Sequence, residues 1–126
     1  MSLRSSLAIA RGLGSSKSGT EHWWAERLTA VALIPLTIWF VISLIAHLGA
    51  PYEEVRAWIG SPVTAVLMIS LIVATFHHAQ LGLQVVIEDY VHNEPVKIGA
   101  LLVMKGLAFF LGLLGVFSVA RIAFGG

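Results

Sequence analysis

Seven polar residues stand out because their surroundings are almost wholly apolar: His77, His78, Gln80, Gln84, Glu88, Asp89 and Tyr90. Imidazoles ligate metals and move protons, while carboxyl and phenol groups hydrogen-bond to oxygen-bearing ligands. At about 100° per residue of α-helix, His78, Gly82, Val85 and Asp89 share one stripe, whereas His77, Gln84 and Glu88 cluster roughly 80–120° to its side. A glycine one turn after His78 lets a flat macrocycle lie close against the helix. With a rise of about 1.5 Å per residue, His78 lies roughly 16 Å from Asp89, near mid-membrane if Asp89 marks the cytoplasmic interface. An imidazole at that depth suits a b-type haem iron. Asp89 and Tyr90 would then sit where a quinone headgroup can exchange protons with water. The same spacing equally fits a neutral His78 hydrogen-bonded to a Ser, Thr or carbonyl of a neighbouring helix. Asp89 and Tyr90 fit a helix cap and an interfacial belt as well.

The elements that must position these groups are membrane helices. The chain has 126 residues, of which 57% are hydrophobic and 12% charged, against about 25% charged in soluble domains. Residues 28–52 and 57–87 carry no Asp, Glu, Lys or Arg, and residues 98–120 carry only Lys105. Each stretch exceeds the roughly 20 apolar residues that cross about 30 Å of hydrocarbon. The expected architecture is a single all-α membrane domain over residues 1–126. An N-terminal segment, 1–27, precedes three transmembrane helices at Leu28–Leu48, Val63–Ile87 and Ile98–Ala120.

The N-terminal segment and the second loop hold Arg4, Arg11, Lys17, Arg27 and Lys97, whereas the other side holds Arg56 and Arg121. The bias predicts a cytoplasmic N-terminus and a periplasmic C-terminus, with Lys105 snorkelling back toward the second loop. Residues 1–27 have the composition of a transit peptide, yet an uncleaved bacterial N-terminus is expected. A bacterial cytoplasmic membrane is therefore the expected location, with the mitochondrial inner membrane as the alternative. Trp23, Trp24, Tyr52 and Trp58 read as interfacial belt residues. Ala108, Gly112 and Gly115 offer a small-residue strip for close helix packing. His47 reads as interfacial, and His22 and His92 are assigned no role.

Zero cysteines exclude disulfides, thiolate nucleophiles and Cys-ligated iron–sulfur clusters. A formal net charge of +1 points to no nucleic-acid partner. Gly12–Ser18 lacks the spacing of a phosphate-binding loop. A small transporter or a non-haem membrane scaffold is the less favoured reading, and neither inverted repeats nor broken helices suggest a transporter.

The run from His78 through Gly82 to Asp89-Tyr90 resembles the H-x-x-x-G-x-x-x-x-x-x-D-Y signature of the small D-type membrane-anchor subunits of succinate dehydrogenase. Arg27-Leu28-Thr29-Ala30 and the segment ending Ser18-Gly19-Thr20-Glu21-His22-Trp23 resemble alphaproteobacterial members. The resemblance implies that His78 is one axial ligand of haem b, shared with a second His from a C-type cytochrome b anchor subunit that completes the helical bundle. It implies Tyr90 as the ubiquinone hydrogen-bond donor, Asp89 at the border of that site, and Arg27 on a haem propionate. FAD and the iron–sulfur clusters would belong to flavoprotein and iron–sulfur partner subunits. The implied function is to anchor the enzyme in membrane lipid and help reduce ubiquinone with electrons from succinate; the chain alone would not be catalytic. A quinol:fumarate reductase anchor is the alternative within the family. The motif's spacing selects His78 over His77.

Overall fold

A computed structural model describes residues 16–125, with side chains from Gly19 onward. The segment around Arg4, Arg11 and Gly12–Gly14, and the side chain of Lys17, lie outside the described residues. Those described form four helices and no strand: α1 Ser16–Ala46, α2 Tyr52–Gly60, α3 Pro62–Tyr90 and α4 Glu94–Ala123. Three stretches are long and apolar enough to cross a membrane, Gly19–Ala46, Pro62–Tyr90 and Glu94–Ala123. The three expected spans therefore fall on three helices; α3 and α4 run beyond theirs at both ends, while α1 starts well before Leu28 and stops at Ala46, short of Leu48. The largest extension is at α1, which begins roughly three turns before Leu28. Residues 16–27 are helical and continuous with the first expected span.

Local chemistry sets the ends. Pro62 and Pro95 occupy first-turn positions of α3 and α4, where a missing N–H costs nothing. The Asn93 side chain accepts from Val96 N at 3.2 Å and caps α4. Gly49, at φ 79°, turns the chain after α1, a conformation that glycine adopts without strain. Pro35 lies inside α1 without ending it.

Helix α3 is the middle of the fold. Both α1 and α4 pack along it, but the backbones of α1 and α4 do not approach each other. The result is an open layer of three long helices, with α2 packed across α3 and α4 at one end. Between α3 and α4 the small-residue strip works as expected: a Cβ on Gly112 would lie 3.5 Å from Phe76, and one on Gly115 only 3.2 Å from Ile72. Gly60 lets α2 come equally close to α4, since a Cβ there would meet the Ile122 carbonyl oxygen at 3.2 Å.

The interior is correspondingly small. Ala65, Met68 and Val119 form its buried cluster, with Trp39, Phe40 and Trp58 packed against it. Trp58 is thus also a packing residue, beyond the belt role expected of it. Its ring stacks on His47 at 4.2 Å between centroids and lies 6.4 Å from that of Trp39. Among the described residues no large side chain is fully buried, which fits helices whose remaining faces meet lipid or another chain.

Candidate functional site

The pairing of α1 with α3 brings together two residues that are 49 apart in sequence. Thr29 Oγ1 and His78 Nδ1 lie 2.9 Å apart. The hydroxyl also donates to the carbonyl oxygen of Ala25 at 2.7 Å, with that of Glu26 at 3.1 Å. A hydroxyl has a single proton. Given to Ala25 one turn back, that proton leaves the Thr29 oxygen to accept from His78, so Nδ1 carries the imidazole hydrogen. The tautomer is assigned from this network. Nε2 then presents its lone pair, and among the described residues it has no hydrogen-bond partner.

The ground beside this nitrogen is smooth. Thr75, Ala79 and Gly82 lie within roughly 40–100° of His78 on one side of α3, and all three are exposed. A Cβ on Gly82 would meet nothing within 4 Å. A half-buried imidazole with one nitrogen unpartnered among the described residues, on a helix face that carries small exposed residues, fits a haem ligand. The bond to a threonine anticipated for a merely structural histidine is also present, and it leaves Nε2 free.

His77 has a different environment. It is exposed on the outer ridge of α3, between a groove of about 340 Å³ shared with α4 and one of about 420 Å³ shared with α1; His78 lines neither. Its Nδ1 lies 3.3 Å from Gln80 Nε2. Gln80 belongs to a polar ladder that crosses to α4. Lys105 Nζ donates to Gln80 Oε1 at 3.3 Å and to Gln84 Oε1 at 2.9 Å, and Gln84 Nε2 donates to Glu88 Oε1 at 3.0 Å. Lys105 therefore does not snorkel back to the loop as expected; α3 supplies its partners at the same depth.

Asp89 and Tyr90 end α3 and are exposed, the tyrosine at 78%. Arg27 sits near the level of His78 but against a different neighbour. Contact between Thr29 and His78 puts Arg27, two residues away, about 3 Å along the helix from the level of His78, well below that of Asp89. It lies roughly 200° round α1 from Thr29, on the face turned from α3. Its guanidinium sits over the Trp23 ring, 5.3 Å from the centroid. The structure thus shares a depth between Arg27 and His78 without joining them.

Two features escaped the sequence reading. Thr29 was noticed only as part of a motif, because a register between α1 and α3 is needed to pair it with His78. His22 was set aside, yet its Nε2 is buried without a hydrogen-bond partner among the described residues. Its seven-residue spacing from Thr29 places both on one helix face, a signal that was available. No cluster of three or more metal-ligating side chains occurs among the described residues, so a metal here would need a ligand from a cofactor or another chain.

The family model described as succinate dehydrogenase/fumarate reductase transmembrane subunit matches residues 1–115. A succinate dehydrogenase hydrophobic membrane anchor subunit of Paracoccus denitrificans is 32% identical over 117 residues, covering 92% of this chain and 89% of the relative. One from Rickettsia bellii is 28% identical over 102 residues, 81% of this chain and 82% of the relative. A succinate dehydrogenase membrane anchor subunit of Reclinomonas americana is 25% identical over 96 residues, 74% of this chain and 80% of the relative. No solved structure matches the chain.

Proposed function

The chain belongs to the succinate dehydrogenase/fumarate reductase transmembrane-subunit family, and we propose that it helps hold haem b and build the ubiquinone-reducing site of a bacterial succinate dehydrogenase. The observation that carries this reading is the Thr29–His78 bond, which leaves Nε2 available beside the open Gly82 strip. Haem b, when bound, supplies a one-electron redox centre between this chain and a C-type cytochrome b anchor subunit. His78 Nε2 would hold its iron from this chain's side. Arg27 is a permanent cation at nearly the same depth, and contact with a propionate requires its side chain to leave Trp23 and reach round α1.

At the end of α3 the phenol of Tyr90 donates a hydrogen bond to a quinone carbonyl oxygen. This orients the ring and withdraws electron density as two electrons and two protons arrive. The Asp89 carboxylate accepts from water at the rim of the site and orders it for proton delivery. Exposure of both residues lets protons come from the aqueous side, and the Lys and Arg bias supports a cytoplasmic one. The electrons originate in flavoprotein and iron–sulfur partner subunits, since the chain lacks the cysteines a cluster would need. The succinate dehydrogenase names of the relatives favour succinate oxidation over fumarate reduction.

The test is a reduced-minus-oxidised absorption spectrum of the purified complex with and without His78→Ala. Loss or severe alteration of the b-type bands in the variant is expected. A normal low-spin spectrum in the variant would remove His78 as ligand. Comparing succinate oxidation with fumarate reduction in the same preparation fixes the direction.

A further inference from the structure

We propose that Thr29 is a positioning residue for the axial bond of His78: its hydroxyl oxygen holds the Nδ1 proton, makes Nε2 the ligating atom and tunes the electron density that the imidazole gives to the iron. This rests on the reading of His78 as a haem ligand. The bond is 2.9 Å long and its acceptor is fixed by α1 itself, because the Thr29 hydroxyl is tied to Ala25 O at 2.7 Å within the same helix. A β-branched side chain has few rotamers, so the oxygen is held in place before any ligand arrives. Hydrocarbon offers no water to take over as acceptor. Without Thr29 the Nδ1–H would either go unpaired, at a desolvation cost, or move to Nε2 and block the lone pair. The neighbouring imidazole marks the contrast, since His77 is exposed and pairs only with Gln80 of its own helix at 3.3 Å.

An N–H···O bond at the distal nitrogen makes an imidazole a stronger donor, and a stronger donor favours ferric over ferrous iron. Thr29 therefore holds the haem potential down. Removing the hydroxyl should raise that potential and weaken haem retention about 10–100-fold, the usual effect of losing such a partner. Each tenfold preferential loss of ferric binding corresponds to about 59 mV for one electron.

The experiment uses the complete membrane complex carrying Thr29→Val, Thr29→Ser or His78→Ala. It reads haem per complex, the haem reduction potential and the low-spin electron paramagnetic resonance g-values. Thr29→Val should lose haem, or keep haem at a raised potential with shifted g-values, while Thr29→Ser matches the wild type. A valine variant with wild-type haem content, potential and g-values overturns the proposal. So does a serine variant that behaves like the valine one, since the methyl group would then be what matters. Retention of normal haem in His78→Ala overturns the ligand reading itself, separately from either threonine result.

Discussion

Replacing Gly82 with leucine separates what α3 needs for itself from what it offers to a bound group. Within the chain the substitution meets no obstacle, because a Cβ at Gly82 has nothing within 4 Å. Leucine is also the better helix former, by up to about 1 kcal/mol, so the helix should be at least as stable. Any loss must arise outside this chain. Gly82 lies one turn, about 6 Å of rise, from His78 and beside it on α3. A flat ring system held by His78 Nε2 has to pass over this strip, where the leucine side chain would stand. Overpacking a filled space typically costs about 1–3 kcal/mol, which converts to roughly 5- to 150-fold weaker haem binding at 1.4 kcal/mol per factor of ten. Gly82→Ala should lie between wild type and Gly82→Leu. The assay is haem per complex after detergent extraction, with thermal unfolding measured alongside. A Gly82→Leu complex that keeps its full haem content and a normal spectrum would show that the ring does not lie on this strip, and the fit argued for it would be wrong.

Lys105→Met should destabilise the α3–α4 pair by about 0.6–2 kcal/mol, given that interhelical hydrogen bonds in membranes average about 0.6 kcal/mol each and two are removed. Gln84→Leu breaks the same ladder, so the double variant should cost less than the sum of the singles in denaturation measurements; strict additivity would deny the coupling. Gly115→Leu drives its side chain into Ile72 and should cost about 1–3 kcal/mol, whereas Gly112→Ala makes only an ordinary contact with Phe76 and should be close to neutral in thermal unfolding. Tyr90→Phe removes one hydrogen bond of about 0.5–1.5 kcal/mol, so quinone-reductase kcat/KM should fall roughly 2- to 13-fold with the haem spectrum unchanged; wild-type kinetics would take Tyr90 out of the quinone site.

Charge spacing alone located the three membrane helices, because a charge-free stretch of sufficient length has few other uses. It did not reveal that the helix of the first span already runs from Ser16 through Glu21, Glu26 and Arg27. Helical period sorted His77 from His78 by face, but a period names no neighbour. The pairing of His78 with Thr29 depends on how α1 slides against α3, which the pattern in either helix leaves open. Lys105 illustrates the same limit. Its charge in an apolar span announces a partner, and only the α3–α4 register identifies Gln80 and Gln84 instead of the loop. Trp58 was placed by its type, which suits an interface but does not reveal that α2 folds it onto His47 and the small core.

The ladder from α3 to Lys105 also bears on how the chain enters a membrane during synthesis. A lysine at the centre of a span costs about 2.5–3.5 kcal/mol for insertion, and α4 is the span that carries one. Synthesis runs from the N-terminus, so Gln80 and Gln84 emerge ahead of Lys105. With α3 already in place, the ammonium meets two amide oxygens instead of bare lipid. In this way α3 serves as a receiving partner for the last helix, and the order of the helices in the gene is also the order in which the cost of that charge is relieved.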